Sequence, residues 1–316
     1  MQKLLFSLAP ACCLVALLCV PAHAANFVAF ASPNGIPGND CLTPATPCRE
    51  IFQAIDKVDA GGTIHVAPGD YGAFGVDEAM NIISDEGPAI VGNSTLLTDA
   101  TAIRIDVNAN EKVLLRGFVA NAGSNAITIK GAGTARLENC TFISSFSLHA
   151  INYVPTGPSE LYVSNTSLSI RPGTTGGANL LIRPSGSASV KVVLDGVRVL
   201  DSFSGILIDG NSTTGSSTVT VLDSTVAGGS SNGLNAINSG GGATTVMIDG
   251  STFSSNAGNG VIANGAGVTV RMRDSTVTAN ARGLLAAASG KLISGGGNTV
   301  AGNTVDGAFT STIVQK

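Results

Sequence analysis

The sequence predicts an all-β solenoid, in which short strands coil around one long core. The first observation is an internal repeat: the segment 221–226 (Val-Leu-Asp-Ser-Thr-Val) returns in similar form at 137–142, 193–198, 247–253 and 272–277. The second is a spacing: apolar pairs of the type Ile-x-Ile recur every 23 to 29 residues, without a helical pattern between them. A unit of that length accommodates three short strands and three turns, and it buries its apolar face against its neighbours.

The first 24 residues are predicted to be a secretory signal peptide, so that the mature chain begins at Ala25. Lys3 precedes an apolar run over 4–20, and Ala-His-Ala at 22–24 forms a small-residue cleavage site. Ser7 and Pro10 interrupt this run, which is shorter than the roughly 20 residues that a membrane span requires. We therefore expect a secreted or periplasmic protein with no membrane span after signal cleavage.

Signal cleavage would leave three cysteines, Cys41, Cys48 and Cys140. In an oxidising compartment, Cys41 and Cys48 are expected to close a small loop with a disulfide that contributes about 2 to 3 kcal/mol. Cys140 stands at a repeat position that Ser224 or Gly250 holds elsewhere, so we interpret it as a small buried free thiol. Three cysteines without a histidine cluster do not favour a zinc site.

Residues 25–60 are predicted to form an N-terminal strand, a loop and a capping helix. The strand is expected at 27–30, and the loop over 32–47 is rich in turn-forming residues. Over 49–58, the apolar residues Ile51, Phe52, Ile55 and Val58 recur at spacings of three and four, which indicates a helix with one buried face. The open end of a β-solenoid has unpaired backbone groups, so a helix at this place is expected to cover it.

Residues 61–316 are predicted to form the coils, and their start carries a family resemblance. The segment 61–71 (Gly-Gly-Thr-Ile-His-Val-Ala-Pro-Gly-Asp-Tyr) is a strand that ends in a Pro-Gly turn. A capping helix, this strand and repeated coils together resemble the right-handed parallel β-helix superfamily, the pectin-lyase-like fold, over nearly all of the mature chain. The resemblance implies an all-β, single-stranded right-handed parallel β-helix solenoid with an N-terminal capping helix. It is specific for architecture and implies no single activity.

Strand alternation predicts which residues of each coil face the core. The inward column consists of one apolar residue per coil, together with the residue two positions later: Ile103, Ile127, Ile151, Leu180, Ile206, Leu234, Val261 and Leu284. The leucine-rich repeat has a similar period, but its Leu-x-x-Leu-x-Leu-x-x-Asn pattern does not match these units. A long narrow core is therefore expected.

Each copy of the 221–226 repeat contains a polar residue, which we interpret as part of a structural turn ladder. Asn and Asp suit turns because their side chains bond nearby backbone and tolerate left-handed geometry. The predicted ladder consists of Asn139, Asn165, Asp195, Asp223, Asp249, Asp274 and Asn298. Loss of a local side-chain hydrogen bond in Asp223→Ala is expected to lower stability by about 1 kcal/mol.

The superfamily resemblance implies that a site, if present, lies on the outward face of the first-strand sheet. The charged residues predicted on that face are Arg104, Asp106, Lys130, Arg183 and Asp209. Two interpretations are open. Asp106 with Lys130, and Arg183 with Asp209, are expected on adjacent strands and would form surface ion pairs. Alternatively, the five residues form a lyase-like site, which would use Ca²⁺ and a basic proton acceptor. The ion-pair interpretation is the simpler one.

Several functional classes are disfavoured by composition and motif. The net charge of −4 comes without a basic stripe, so no nucleic-acid partner is expected. The Gly-His-Gly and Arg-Ile-Lys segments of hydrolases with this fold are missing, and aromatic residues make up only 4%. The leading hypothesis is therefore a monomeric, non-catalytic exported scaffold without a cofactor, which binds a polysaccharide or cell-surface component along its side. The alternative is a polysaccharide lyase-like enzyme that acts on an acidic glycan, with Ca²⁺ as its cofactor.

Overall fold

The computed structural model describes residues 26–92, 101–144, 148–170 and 176–313. The predicted signal peptide at 1–24 lies outside the described residues. Within the described ranges, the structure contains no helix long and apolar enough to cross a membrane.

Short strands dominate the described ranges. In chain order, the elements are β1 (Val28–Ala31), α1 (Ile51–Ile55), β2 (Thr63–Val66), β3 (Gly69–Tyr71), β4 (Phe74–Val76), β5 (Met80–Ile83), β6 (Ala89–Val91), β7 (Ile103–Ile105), β8 (Lys112–Arg116), β9 (Phe118–Ala122), β10 (Asn125–Ile129), β11 (Thr134–Glu138), β12 (Thr141–Ser144), β13 (His149–Tyr153), β14 (Ser159–Ser164), β15 (Ser167–Ile170), β16 (Ala178–Ile182), β17 (Val190–Asp195), β18 (Arg198–Leu200), β19 (Ser204–Asp209), β20 (Ser217–Leu222), β21 (Thr225–Ala227), β22 (Leu234–Ile237), β23 (Thr244–Asp249), β24 (Thr252–Ser254), β25 (Asn259–Asn264), β26 (Val268–Arg273), β27 (Thr276–Thr278), β28 (Arg282–Ala287), β29 (Lys291–Ser294), β30 (Thr299–Val300) and β31 (Ser311–Thr312).

These strands form three parallel sheets, because each coil contributes one strand to each sheet. Sheet A has the order β1-β2-β5-β8-β11-β14-β17-β20-β23-β26-β29-β31. Sheet B has the order β3-β6-β9-β12-β15-β18-β21-β24-β27-β30, and sheet C has the order β4-β7-β10-β13-β16-β19-β22-β25-β28. The predicted all-β parallel solenoid is therefore confirmed. Its handedness remains a prediction.

The inward column of the core has the predicted register. The eight residues from Ile103 to Leu284 are Cα partners from strand to strand along sheet C. Each is at most 2% exposed. The register follows from alternation, because a slip by one residue would turn every apolar side chain of a strand outward.

Helix α1 is shorter than predicted. It covers Ile51–Ile55 rather than 49–58. Residues 56–58 continue it as a tighter turn, in which the Lys57 and Val58 amides donate to the carbonyl oxygens of Ala54 and Ile55. Phe52, a member of the predicted buried face, is 38% exposed. The role of α1 as an end cap remains a prediction.

The cysteines have the predicted states. Cys41 and Cys48 form a disulfide, and Cys140 is a free, buried thiol. Burial raises the pKa of the Cys140 thiol to about 11, so this thiol stays protonated at neutral pH.

The predicted turn ladder is wrong by one residue in several coils. The residues with positive φ that align from coil to coil are Gly117, Asn139, Asn165, Gly196, Asp223, Gly250, Asp274 and Gly297. Asp195 and Asp249 instead lie one position earlier, in register with Leu222 on the outer side of sheet A. Asn298 lies one position later, where its side-chain amide donates to the Met272 carbonyl oxygen at 2.9 Å. The repeat alone does not distinguish the last residue of a strand from the turn residue that follows it.

The corrected ladder alternates a side chain with a glycine from Asn165 onward. A Cβ atom at Gly196 would lie 2.9 Å from Asn165 Oδ1, and one at Gly250 would overlap Asp223 Oδ1. The side chain of each Asn or Asp thus lies over the glycine of the next coil. Both residue types suit this position because the left-handed region disfavours any other side chain.

We expect Asp223→Ala to destabilise the protein by about 1 to 2 kcal/mol through backbone strain, because Ala replaces Asp at a φ of 46°. Within the described ranges, the exposed Asp223 carboxylate accepts no hydrogen bond from the protein, so the reason differs from the one predicted. Asp223→Gly is accordingly expected to leave stability unchanged or to raise it. Urea unfolding of both variants, with Asp223→Asn as the control that tolerates this φ, decides the cause. Equal losses for Ala and Gly would restore the hydrogen-bond explanation.

Candidate functional site

The five residues predicted from the sequence lie on the outer side of sheet C. Arg104 is in the middle of β7, and Asp106 and Lys130 directly follow β7 and β10. Arg183 directly follows β16, and Asp209 ends β19. The Lys130 amide donates to the Ile105 carbonyl oxygen at 3.0 Å. In a parallel pair of strands this bond places Lys130 beside Asp106, as predicted.

The structure joins two of these five residues in an ion pair. Arg183 Nε donates to Asp209 Oδ2 at 2.9 Å, and the two side chains are 45% and 13% exposed. The other Asp209 oxygen accepts the Asn211 amide at 3.1 Å. The Arg104 guanidinium lies beside Gly75, on the strand before its own. In the backbone, the coil of Val154 separates Lys130 from Arg183.

No group of three or more His, Cys, Asp or Glu side chains is arranged to hold a metal ion in the part of the chain that the structure describes. The calcium requirement of the lyase hypothesis remains a prediction.

A second constellation lies on the outer face of sheet A. One outward row runs through Lys112, Thr134, Glu160, Lys191 and Thr218, which are Cα partners on five successive strands. This row borders a cleft of about 600 Å³, whose other walls include Asn110, Pro158 and Ser189. Arg136 and Tyr162 follow in the next outward row, two residues further along β11 and β14. We call these residues the basic cleft.

Glu160 organises the basic cleft through both carboxylate oxygens. Oε1 accepts from Lys191 Nζ at 3.1 Å, and Oε2 accepts from the Tyr162 hydroxyl at 2.9 Å. The Arg136 guanidinium carbon lies 4.7 Å from the centre of the Tyr162 ring, which is a cation–π distance. The side chains of Lys191 and Glu160 are 70% and 35% exposed, so the network is open to a ligand.

The contacts in the cleft hold its groups in their charged forms. The hydrogen bond from Lys191 lowers the pKa of Glu160, and the bond from Tyr162 lowers it further. The same bond to Glu160 raises the pKa of Lys191. A general base at neutral pH needs a pKa near 7, and these shifts move Lys191 and Glu160 away from it. The cleft is therefore suited to binding a charged ligand.

The two histidines outside the signal region have ordinary environments. The half-buried His149 Nδ1 accepts the Ala178 amide at 3.1 Å, and burial lowers the pKa of this imidazole. His65 stacks on Phe30, with ring centroids 5.5 Å apart.

Sequence reasoning missed the basic cleft because it searched only the outer face of sheet C. The alternation in 134–136 (Thr-Ala-Arg) and 160–162 (Glu-Leu-Tyr) already assigns Arg136 and Tyr162 to one outward face. Aligning these second strands between coils would have placed the two side chains next to each other. The contact between Glu160 and Lys191 also depends on the strand register across the 29-residue coil, which the sequence does not set.

No family model and no curated protein matches the sequence. Solved structures do match the fold. One is a pectate lyase, 14% identical, with a TM-score of 0.65, and the match covers 93% of this chain and 80% of that chain. Another is a rhamnogalacturonan lyase, 12% identical, with a TM-score of 0.56, and the match covers 84% of this chain and 75% of that chain. At these identities the likeness concerns architecture, so the chain has the parallel β-helix fold that these two lyases share.

Proposed function

We propose that this protein binds an acidic polysaccharide across the basic cleft. The observation that carries the proposal is a network in which Glu160 binds Lys191 and Tyr162 while Arg136 lies against the Tyr162 ring, with Lys112 further along the outward row of Glu160 and Lys191. The chain as a whole has a net charge of −4, so a positive patch of this kind is local. Such a patch concentrates anionic ligands against an otherwise repelling surface.

The spacing of the cations suits a polymer. Lys112 and Lys191 are three strands apart, which corresponds to roughly 14 Å at the usual strand spacing. A linear polyanion that runs along the solenoid axis can meet both ammonium groups at once. Tyr162 lies between them on the neighbouring row, with the Arg136 guanidinium against its ring, and hydroxyls of Thr134 and Thr218 offer hydrogen bonds.

Two further observations support the proposal. The matching structures include a pectate lyase and a rhamnogalacturonan lyase, so the fold is compatible with acidic glycan chains. The disulfide between Cys41 and Cys48 is typical of an oxidising compartment. We accordingly place the protein outside the cytoplasm, secreted or periplasmic, and treat it as a monomer that binds its polymer along one side.

The proposal is tested by calorimetric titration of the protein with polygalacturonate, alginate and neutral dextran. We expect saturable binding to at least one of the two polyuronates and none to dextran, with an affinity that falls steeply between 20 and 200 mM NaCl because exposed charges are screened. Equal binding of dextran, or affinity that does not respond to salt, would contradict recognition by charge.

Lyase activity on the same class of polymer is the second candidate, and the likeness of the fold to two lyases favours it. In β-elimination, a base removes the proton beside the uronate carboxyl, and the electron pair forms a C=C bond as the glycosidic oxygen leaves. The predicted residues for this chemistry are Lys130 or Arg183 as the base, with Arg104, Asp106 and Asp209 around them and Ca²⁺ as the cofactor.

This second candidate predicts new unsaturated chain ends, measured by ultraviolet absorbance with the same polyuronates and added Ca²⁺. Activity that Lys130→Ala or Arg183→Ala abolishes, and that the distant control Lys57→Ala retains, would establish the lyase and exclude a purely binding scaffold. Absence of unsaturated ends at protein concentrations that saturate the polymer would exclude the lyase and leave the binding function intact.

A further inference from the structure

A separate pocket lies at the N-terminal end of sheet A, away from the basic cleft. It has a volume of about 400 Å³ and is lined by β1, β2, the end of β5 and the loop over 32–47. We call it the N-terminal pocket. Its volume falls in the range of about 300 to 1,000 Å³ that small-molecule sites occupy.

The floor of the N-terminal pocket is apolar and aromatic. Phe30, His65 and Ile83 are Cα partners on β1, β2 and β5, so their side chains form one outward row. The rings of Phe30 and His65 stack at an interplanar angle of 22°. Pro44 and Pro47 supply a further apolar wall from the loop.

The loop that forms this wall is held rigidly. The disulfide between Cys41 and Cys48 closes it, and both cysteines are at most 1% exposed. Asn39 Nδ2 donates to the Pro47 carbonyl oxygen at 2.8 Å, and Thr46 Oγ1 donates to Asp40 Oδ1 at 2.6 Å. A wall fixed before binding lowers the entropy cost of ligand capture.

The rim of the pocket carries hydrogen-bonding groups, among them the carboxylates of Asp85 and Glu86. Both Asp85 oxygens accept from Arg116, at 2.8 and 3.0 Å, so the charge of this carboxylate is partly offset, and its side chain stays 58% exposed. Glu86, Ser32 and His65 add further polar atoms. The combination of apolar floor and hydroxyl-binding rim matches a ring with apolar C–H faces and equatorial hydroxyls.

We infer that the N-terminal pocket binds a neutral sugar residue. Phe30, Ile83 and the two prolines contact the C–H face, and Asp85, Glu86 and His65 receive the hydroxyl groups. The Glu86 carboxylate repels a uronate, so the ligand class differs from that of the basic cleft. The two sites therefore take different sugars, and either can exist without the other.

The experiment is a saturation-transfer NMR and titration series on the purified protein with cellobiose, maltose, lactose and galacturonic acid, and with phenethylamine as a cationic probe. We expect at least one neutral disaccharide to bind saturably, and galacturonic acid not to compete with it. Phe30→Ala and Glu86→Gln are each expected to weaken this binding at least tenfold. Phe203→Ala, a distant phenylalanine that is 37% exposed, is the matched control and is expected to leave it unchanged.

The outcomes separate this site from the basic cleft. Loss of neutral-sugar binding in Glu86→Gln, with polygalacturonate affinity unchanged, supports the pocket irrespective of the cleft. Saturable binding of none of the neutral disaccharides, or binding that both variants retain, overturns the inference. Binding of phenethylamine alone, lost in Glu86→Gln, assigns the pocket to organic cations instead. Because Glu86 lies on the exposed rim, this variant is expected to fold even if Phe30→Ala does not.

Discussion

The double variant Lys112→Ala/Lys191→Ala is expected to bind polygalacturonate at least about tenfold more weakly than the wild type in 20 mM NaCl. The two ammonium groups lie three strands apart on one outward row, so a polyanion bound as proposed is expected to contact both. Removing Lys191 also leaves the Glu160 carboxylate without its 3.1 Å partner, which adds repulsion to the lost attraction. We therefore expect Lys191→Ala alone to weaken binding more than Lys112→Ala alone.

Lys291→Ala is the matched control for this experiment. Lys291 belongs to the same outward row of sheet A, in register with Thr269, and is also exposed, but it lies four strands beyond Lys191. It is expected to leave affinity unchanged. The salt dependence of binding should become shallower in the double variant only, because fewer charges are then screened. An unchanged affinity in the double variant would remove the basic cleft as the binding site.

Glu160→Gln is expected to have the opposite effect on the affinity for polygalacturonate. The carboxylate holds Lys191 and Tyr162 in place but also occupies the position from which a ligand carboxylate would bind Lys191. The isosteric amide keeps an acceptor oxygen for one of these donors and removes the negative charge. Affinity for polygalacturonate is accordingly expected to rise, and a fall would show that Glu160 itself contacts the polymer.

Gly250→Ala is expected to cause the largest loss of stability among the substitutions considered, about 2 kcal/mol or more. The backbone at Gly250 has a φ of 59°, which costs a residue with a Cβ atom about 1 to 2 kcal/mol. The new Cβ would in addition overlap Asp223 Oδ1 from the preceding coil. The measurement is the midpoint and slope of urea unfolding, followed by the loss of β-sheet circular dichroism.

A double-mutant cycle separates the two causes of this loss. In an Asp223→Gly background the overlap disappears, so Gly250→Ala should cost only the backbone strain. Gly241→Ala is the control, since Gly241 has no positive φ and a Cβ there would meet nothing within 4 Å. Equal costs of Gly250→Ala in both backgrounds would show that the alternation of Asp and Gly has a different origin.

The register of the core could be predicted because two independent periods agree in the sequence. Alternation assigns Ile103, Ile127 and Ile151 to the inside of their strands, and the 24-residue spacing aligns them from coil to coil. A slip of any strand would expose its apolar residues, so the hydrophobic effect enforces the register that the pattern predicts. The disulfide between Cys41 and Cys48 and the free thiol of Cys140 are also as predicted from the sequence.

The turn ladder could not be placed correctly because neighbouring turn positions have similar residue preferences. Asp249 and Gly250 both fit a turn, and only the backbone conformation shows that Gly250 has the positive φ while Asp249 ends a strand. The reason for glycine there lies on the previous coil, in the side chain of Asp223. Such a contact is local in space but distant in sequence.

The sequence by itself determined the architecture, because the all-β solenoid and its inward column follow from periodicity and residue type. Only the tertiary structure decided where charged and aromatic groups converge. Glu160 and Lys191 are 31 residues apart, and their contact depends on how long each turn is before the chain enters the next strand. Turn length can vary from coil to coil without exposing the core. The hydrophobic pattern therefore determines which residues face the inside of the solenoid, but it does not determine which residues meet on its outer surface.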